Sequence, residues 1–85
     1  MQYITSKQFD KNFSKLSKKT KEKAVKQFEF FLIDPMNQIL NNHRLHGKWS
    51  KYRSINITGN VRAIYIQDGE ISRFIDIGSH SALYS

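Results

Sequence analysis

Hydrophobic and polar positions follow two different periods in the two parts of this sequence. Between residues 6 and 34, hydrophobic residues recur at intervals of three and four, which places them on one face of an α-helix. From residue 52 onward, hydrophobic and polar residues alternate, and this period of two is typical of β-strands with one buried face. The pattern therefore predicts helices in the first part and a sheet in the second.

The N-terminal residues predict a short strand and then an amphipathic helix. Residues 3–5 have the composition of a strand. Ser6 is suited to cap the helix that follows, because a serine hydroxyl accepts hydrogen bonds from the free N–H groups of a first turn. The hydrophobic positions of this helix share one face, and they are Phe9, Phe13 and Leu16.

A second helix is predicted between two local signals. Polar residues 17–20 break the first helix, and Thr20 is the predicted N-cap of the second. Asp34 precedes Pro35, and a residue before proline is disfavoured in the α conformation, so the helix should end there. The predicted buried stripe consists of Ala24, Val25, Phe28, Phe31 and Leu32.

Residues 36–48 predict a long irregular segment between the helices and the sheet. The segment is mainly polar, and its hydrophobic anchors are Ile39, Leu40 and Leu45. A loop of this length in a small domain is more often functional than not.

The rest of the chain predicts three strands, at residues 52–57, 61–66 and 71–77. Between the first two, Gly59 is expected to supply a positive φ for the turn. Between the last two, Asp68-Gly69 is a hairpin signal.

We predict an α+β fold in the order β-α-α-β-β-β. A short N-terminal strand and a two-helix hairpin would pack on a mainly antiparallel sheet. A chain of 85 residues has room for one core, so residues 1–85 are predicted to form a single domain.

The charge of the chain predicts a polyanionic partner. Lys and Arg number 14 against 7 Asp and Glu, which gives a net charge of +7. Such a balance favours nucleic acid, an acidic protein or a membrane surface as partner. Lysines dominate the first half, and every arginine lies after residue 40. The alternative is that the lysines form a solvated helix face that only maintains solubility.

Cysteine content and hydropathy indicate the compartment. The chain has no cysteine, which excludes disulfides and thiolate metal sites and fits a reducing compartment. No hydrophobic run reaches the roughly 18 residues that a membrane span needs, and the first residues lack the order of a signal peptide. We expect a cytoplasmic protein without membrane contact.

The C-terminal segment 78–84 carries the strongest candidate chemistry. RNA cleavage without a metal needs a group that takes a proton from a 2′-hydroxyl, cations near the phosphate, and a group that protonates the leaving oxygen. His80 suits either proton transfer, because histidine exchanges protons near neutral pH. Tyr84 could stack on a base. The alternative for His80 is an ordinary surface histidine.

Arg62 is the next candidate, because its strand should pair with the strand that ends before His80. Neighbouring strands lie about 4.8 Å apart, so both residues could contact one phosphate. The alternative is a surface arginine paired with Asp76 or Glu70. Arg53 has the same two interpretations.

The segment before the sheet supplies further candidates in a basic setting. His43 and His46 could transfer protons or contact phosphate, and a metal site is disfavoured because no acidic residue or cysteine lies nearby. Trp49 could be a core residue or a stacking platform. No metal and no cofactor is predicted. Further phosphate contacts are predicted at Arg44, Lys48 and Lys51, in addition to Arg53.

Four segments taken in order resemble the RelE superfamily of bacterial type II toxins, and most closely its YafQ-like branch. That branch carries His-x-Leu-x-Gly-x-Trp, then Tyr-Arg at the start of a strand, then a closing Gly-Ser/Thr-His-Ser-x-Leu-Tyr/Phe. The corresponding segments here are residues 43–49 (HRLHGKW), 52–57 (YRSINI), 62–65 (RAIY) and 78–84 (GSHSALY).

The resemblance implies a RelE-like fold and an mRNA interferase, which is an endonuclease that cuts mRNA in the ribosomal A site. It implies attack by the RNA's own 2′-hydroxyl without a metal. It also implies an acidic cognate antitoxin, through which alone operator DNA is contacted. For the site residues, the resemblance implies that His80 is the closing catalytic histidine and His43 the loop histidine. It further implies that Arg62 is the phosphate-binding arginine and Tyr84 the terminal aromatic residue.

The chain departs from the branch at four positions. Asn56 replaces a second strand histidine, Asn60 an aspartate, Val61 a tryptophan and Asp76 an arginine. Asparagine is neither an acid nor a base at neutral pH. Two alternative hypotheses therefore stand beside the nuclease: a non-catalytic module of the same fold that binds an acidic antitoxin or RNA, and a nucleic-acid-binding protein unrelated to translation.

Overall fold

The computed structural model describes residues 2–84, apart from the side chain of Tyr84. Within this range the strands are β1 (Gln2–Thr5), β2 (His43–Arg44), β3 (Arg53–Asn56), β4 (Val61–Asp68) and β5 (Ile71–Ser79). The helices are α1 (Lys7–Ser14), α2 (Lys18–Ile33) and α3 (His80–Tyr84). Single turns of 3-10 helix cover Gln38–Leu40 and Gly47–Trp49.

The strands form one mixed sheet in the order β1-β5-β4-β3-β2. β1 runs parallel to β5, with Gln2 opposite Ile71, and the other neighbours are antiparallel. The predicted α+β fold with a mainly antiparallel sheet is therefore confirmed. The short strand β2 and the closing helix α3 are additions to the predicted order.

The segment 36–48 is more ordered than the sequence predicts. Leu40 and Leu45 are buried as expected, but Ile39 is 47% exposed. The 3-10 turn turns Leu40 toward the core, and its neighbour Ile39 is left on the outside. The prediction of three anchors is therefore wrong for Ile39.

The N-caps of the two long helices are both serines. Ser6 caps α1 as predicted, and its Oγ accepts from the Phe9 N–H at 3.0 Å. The predicted cap of α2 is wrong, because Ser17 caps it and Thr20 lies within its first turn. The Ser17 Oγ accepts from the Thr20 N–H at 3.2 Å. Serine and threonine both suit an N-cap. The helix begins after Ser17, the earlier of the two, because Lys18 and Lys19 are good helix formers.

Only part of the predicted stripe on α2 is buried. Ala24, Phe28 and Phe31 are buried, whereas Val25 is 53% and Leu32 is 43% exposed. Residues 24, 28 and 31 share one face, and each step to the following residue turns by about 100°, which takes residues 25 and 32 out of the contact. No helix within residues 2–84 is long and apolar enough to cross a membrane.

The main core lies between the helices and one face of the sheet, and Phe74 of β5 is at its centre. The Phe74 ring lies 4.7 Å from that of Phe28, 4.9 Å from that of Tyr65 and 5.2 Å from that of Phe31. Such aromatic pairs add to the free energy gained by burial. The core therefore ties α2 to the two central strands.

A smaller cluster covers part of the opposite face of the sheet. Leu45, Ile64 and Leu83 are buried in it, and Trp49 and Tyr52 pack against it. Leu83 belongs to α3, so this cluster holds the closing helix against the sheet.

The turn before β4 does not depend on a positive φ at Gly59, contrary to the prediction. Gly59 is not among the described glycines with positive φ, which are Gly47 and Gly69. The Thr58 hydroxyl closes the turn instead, because its Oγ1 accepts from the N–H groups of Asn60 and Val61. Gly69, with φ of 62°, confirms the second predicted hairpin turn.

Candidate active site

Arg62 projects from the face of the sheet that points away from α2, which we call the outer face. Strand pairing places Asn56 of β3 and Gly78 of β5 directly opposite it. Side chains alternate along a strand, and the neighbouring Ala63 belongs to the main core. Asn56 and Arg62 therefore share the outer face with the smaller cluster.

The Arg62 side chain is held by a neutral acceptor. Its Nη1 donates to Asn56 Oδ1 at 2.9 Å. Its Nε is buried and has no hydrogen-bond partner among the described residues. Within residues 2–84 it forms no ion pair with Asp76 or Glu70, since Asp76 instead accepts from Gln8 and Asn12 of α1. The surface ion-pair alternative for Arg62 is therefore wrong.

His80 begins α3 immediately after β5, and its ring is exposed. Its backbone N–H donates to the carbonyl of Asn60 at 3.1 Å. This bond fixes the start of α3 beside the turn that precedes β4. Because Arg62 is opposite Gly78, Arg62 and His80 lie at the same end of the sheet.

His43 lies on the outer face as well. It pairs with Ser54 of β3, two residues from Asn56 on the same side of that strand. Its Nδ1 lies 2.8 Å from the carbonyl oxygen of Asn41. A carbonyl oxygen only accepts, so Nδ1 carries the hydrogen, and Nε2 of the neutral ring is left as the acceptor. That tautomer is the one that can take a proton at Nε2.

The remaining loop candidates lie around the short 3-10 turn. His46 is exposed at its N-cap, where its side chain makes no capping bond. Lys48 lies with Nζ 5.9 Å from the centre of the Trp49 ring, and Lys51 is exposed. Trp49 packs on the smaller cluster, which favours the core interpretation over the stacking platform.

Arg53 and Arg44 lie apart from Arg62. Arg53 pairs with Tyr65, a residue of the main core, and therefore projects from the opposite face to Arg62. Its Nε donates to Asn42 Oδ1 at 2.8 Å. Arg44 pairs with Arg53 and is exposed. The structure thus does not bring Arg53 and Arg62 together, because Arg53 lies three positions from Asn56, the residue opposite Arg62, and an odd offset along a strand places two side chains on opposite faces.

Two further features complete the description of the predicted site. Tyr84 ends α3, and its side chain lies outside the described residues. Among residues 2–84, no three histidine, aspartate or glutamate side chains come together in a way that could hold a metal ion.

Comparison with known families identifies the chain. The model of the family described as "Bacterial toxin of type II toxin-antitoxin system, YafQ" matches residues 1–85. The chain belongs to the YafQ family of type II toxins. Curated protein sequences gave no significant match.

Solved structures agree with membership of the YafQ family. YafQ from E. coli strain BL21(DE3) is 25% identical, with 98% of this chain and 97% of that chain covered and a TM-score of 0.79. YafQ in the E. coli DinJ-YafQ toxin-antitoxin complex is 25% identical over 98% and 96%, with a TM-score of 0.75. A chain of the RelB-RelE antitoxin-toxin complex from Methanococcus jannaschii shares the fold, at 17% identity over 95% and 94% and a TM-score of 0.77.

Two outer-face residues of this YafQ family member were missed as site candidates in the sequence. Asn56 appears there only as a departure from the branch, although it holds Arg62. Ser54 is fully buried, and its Oγ has no hydrogen-bond partner among the described residues. The sequence contains the signal that would have found them. A turn at residues 58–60 places Asn56 opposite Arg62, and the alternation of side chains places Ser54 on the same side of β3 as Asn56.

Proposed function

We propose that this protein is an mRNA interferase, a toxin that cleaves mRNA on the ribosome and thereby inhibits translation. The observation that carries this proposal is the Arg62 guanidinium, which Asn56 holds on the outer face at the end of the sheet where His80 begins α3. A fixed guanidinium presents several N–H donors to the oxygens of one phosphate. Membership of the YafQ family supports the same reaction class.

The proposed reaction uses the RNA's own nucleophile. His43 Nε2 takes the proton from a 2′-hydroxyl, whose oxygen attacks the adjacent phosphorus while the bond to the 5′-oxygen breaks. His80 gives a proton to that leaving oxygen, and Arg62 stabilises the charge on the non-bridging oxygens. The products are a 2′,3′-cyclic phosphate and a 5′-hydroxyl, and in this scheme the side chains carry both proton transfers without a metal or a cofactor.

The remaining basic and aromatic residues would hold the substrate. Tyr84 would stack on a base, and the ribosome would present the mRNA to the outer face. Contacts to phosphates of mRNA or ribosomal RNA are proposed for Arg44, His46, Lys48, Lys51 and Arg53. The reaction would take place in the cytoplasm, where translating ribosomes are present.

We also propose that an acidic antitoxin neutralises the protein. YafQ from E. coli was crystallised with DinJ, and the Methanococcus jannaschii toxin with RelB. A net charge of +7 favours an acidic partner. Operator DNA would be contacted only through this antitoxin.

Cleavage of a defined mRNA by the purified protein tests the proposal. Reactions would contain programmed ribosomes or none, with chelator present, and would compare the wild type with Arg62→Ala and His80→Ala. Arg73→Ala is the matched control, because Arg73 is an exposed arginine of β5 whose partner is Asp68.

We expect cuts only on the ribosome, with chelator present, lost in both site variants and kept in the control. Well-folded wild-type protein that cuts under no condition would overturn the proposal in favour of a non-catalytic binding module.

A further inference from the structure

Asn56 is fixed on both sides of the sheet. Its backbone oxygen accepts from Nε2 of Gln27 at 2.8 Å, and Gln27 is a buried residue of α2. Its side-chain Oδ1 accepts from Arg62 Nη1 at 2.9 Å on the outer face. A buried amide of the helix layer therefore anchors the residue that holds the arginine.

The partner atom matters because it carries no charge. An asparagine oxygen accepts a hydrogen bond from a guanidinium without neutralising it, whereas a carboxylate would form an ion pair with it. Arg62 therefore keeps its full positive charge while one of its nitrogens is held. The N–H groups that do not face Asn56 or the sheet remain for an anion.

The hydrogen bonding of Arg62 is only partly satisfied among the described residues. The buried Nε has no acceptor among the described residues, and the Oγ of Ser54, on the same side of β3 as Asn56, also lacks a partner. Buried polar groups normally have a hydrogen-bond partner, so these two atoms are exceptions among the described residues. Among the described residues, the bond to Asn56 is the hydrogen bond that orients the Arg62 side chain.

We propose that Asn56 is a positioning residue that holds Arg62 toward the phosphate of the RNA while leaving its charge uncompensated. Asn56 would replace the strand histidine of the branch with a residue that moves no proton and acts through the arginine. Its effect on cleavage rests on the proposed function, but its effect on Arg62 does not.

The first test measures the order of the Arg62 side chain by NMR. The Nε–Hε signal of Arg62 is assigned by its loss in Arg62→Ala, and its ¹⁵N relaxation is compared among the wild type, Asn56→Ala and Asn60→Ala. Asn60 is the matched control, because its side chain makes no hydrogen bond within residues 2–84. We expect an ordered Nε in the wild type and the control and a mobile one in Asn56→Ala. An equally ordered Nε in Asn56→Ala would overturn the proposal.

The second test separates two effects of Asn56: it orders the Arg62 side chain, and it leaves the guanidinium charge uncompensated. Asn56→Asp retains size and acceptor, so Arg62 should stay ordered, yet titration with inorganic phosphate should shift the Nε–Hε signal less than in the wild type. If Asn56→Ala does not fold, Asn56→Asp still tests whether the neutral side chain of Asn56 leaves the charge of Arg62 available to phosphate. A phosphate response in Asn56→Asp equal to that of the wild type would overturn the proposal.

Cleavage on programmed ribosomes completes the design. We expect the single-turnover rate to fall about 100-fold in Asn56→Ala, because a misplaced catalytic group costs on that order, and to be unchanged in Asn60→Ala. A wild-type rate in Asn56→Ala beside an inactive Arg62→Ala would refute the positioning role. If the wild type itself does not cleave, the proposed function fails, and the two NMR tests still decide the role of Asn56.

Discussion

The side-chain amide of Asn12 donates a 2.7 Å hydrogen bond to Oδ1 of Asp76 and so joins α1 to β5. Gln8 donates to the other oxygen of the same carboxylate at 3.0 Å. β5 has a bulge beside this contact, because Ile64 is opposite Asp76 and Tyr65 is opposite Phe74, which leaves Ile75 as an extra residue. Asp76 is therefore the carboxylate through which α1 is joined to β5.

Replacement of Asp76 should lower the stability of the fold. We expect Asp76→Ala to reduce the free energy of unfolding by about 1–3 kcal/mol, because two amide donors lose a charged acceptor. For a domain of this size that is roughly 4–8 °C in Tm for each kcal/mol. Thermal unfolding provides the measurement, and Asp68→Ala is the control, since within residues 2–84 the Asp68 side chain forms only a surface ion pair at 3.5 Å. An Asp76→Ala protein as stable as Asp68→Ala would contradict the role.

The two loop histidines should differ in their effect on cleavage. His43 is on the outer face, and its Nδ1 is fixed by the Asn41 carbonyl, whereas His46 is exposed at the 3-10 turn. We expect His43→Ala to lower the cleavage rate about 10²- to 10⁴-fold, the range for loss of a general base, and His46→Ala to lower it less than tenfold. Single-turnover cleavage on ribosomes measures both. The reverse order would make His46 the proton acceptor.

The capping assignment of α2 is open to direct measurement. Ser17→Ala removes the acceptor of the Thr20 N–H and should cost about 1 kcal/mol. Thr20→Ala leaves that N–H bonded to Ser17 and should cost clearly less. Urea unfolding followed by circular dichroism gives both values, and a larger loss in Thr20→Ala would restore Thr20 as the cap.

The aromatic core should depend on Phe74 far more than on a partly exposed phenylalanine. Phe74 is fully buried among the rings of the main core, and Phe30 is 38% exposed. We expect Phe74→Ala to cost about 3–5 kcal/mol, a large share of the total stability of a small domain, and Phe30→Ala to cost far less. Denaturant unfolding tests the difference, and equal losses would show that the core is not centred on β5.

Local signals in the sequence predict the helices and strands better than they predict which strands pair with each other. The change of period, the Ser6 cap and the Asp34-Pro35 stop depend on neighbouring residues, and all three are confirmed. The parallel pairing of β1 with β5 and the bulge at Ile75 depend on residues far apart in the sequence. No local pattern specifies them, so the role of Asp76 could not be read from the sequence.

In the candidate site too, some features follow from the local sequence and others depend on the folded structure. The turn at 58–60 already implies that Asn56 faces Arg62, and alternation already separates Arg53 from that face. Phosphate contacts are predicted for both arginines, and the structure places their two side chains on opposite faces of the sheet. The tautomer of His43 depends on the Asn41 carbonyl, whose position follows from the left-handed conformation of Asn41, with φ of 45°.

The parallel strand β1 has a consequence for how the chain folds. The Ser6 hydroxyl donates to the Ile75 carbonyl across 69 residues of sequence, whereas β3, β4 and β5 are joined by short turns. Closing a long loop costs entropy before its contacts repay it, and such contacts slow folding. We expect the β3-β4 and β4-β5 hairpins to form first and β1 to join the sheet last, so that the docking of β1 sets the folding rate.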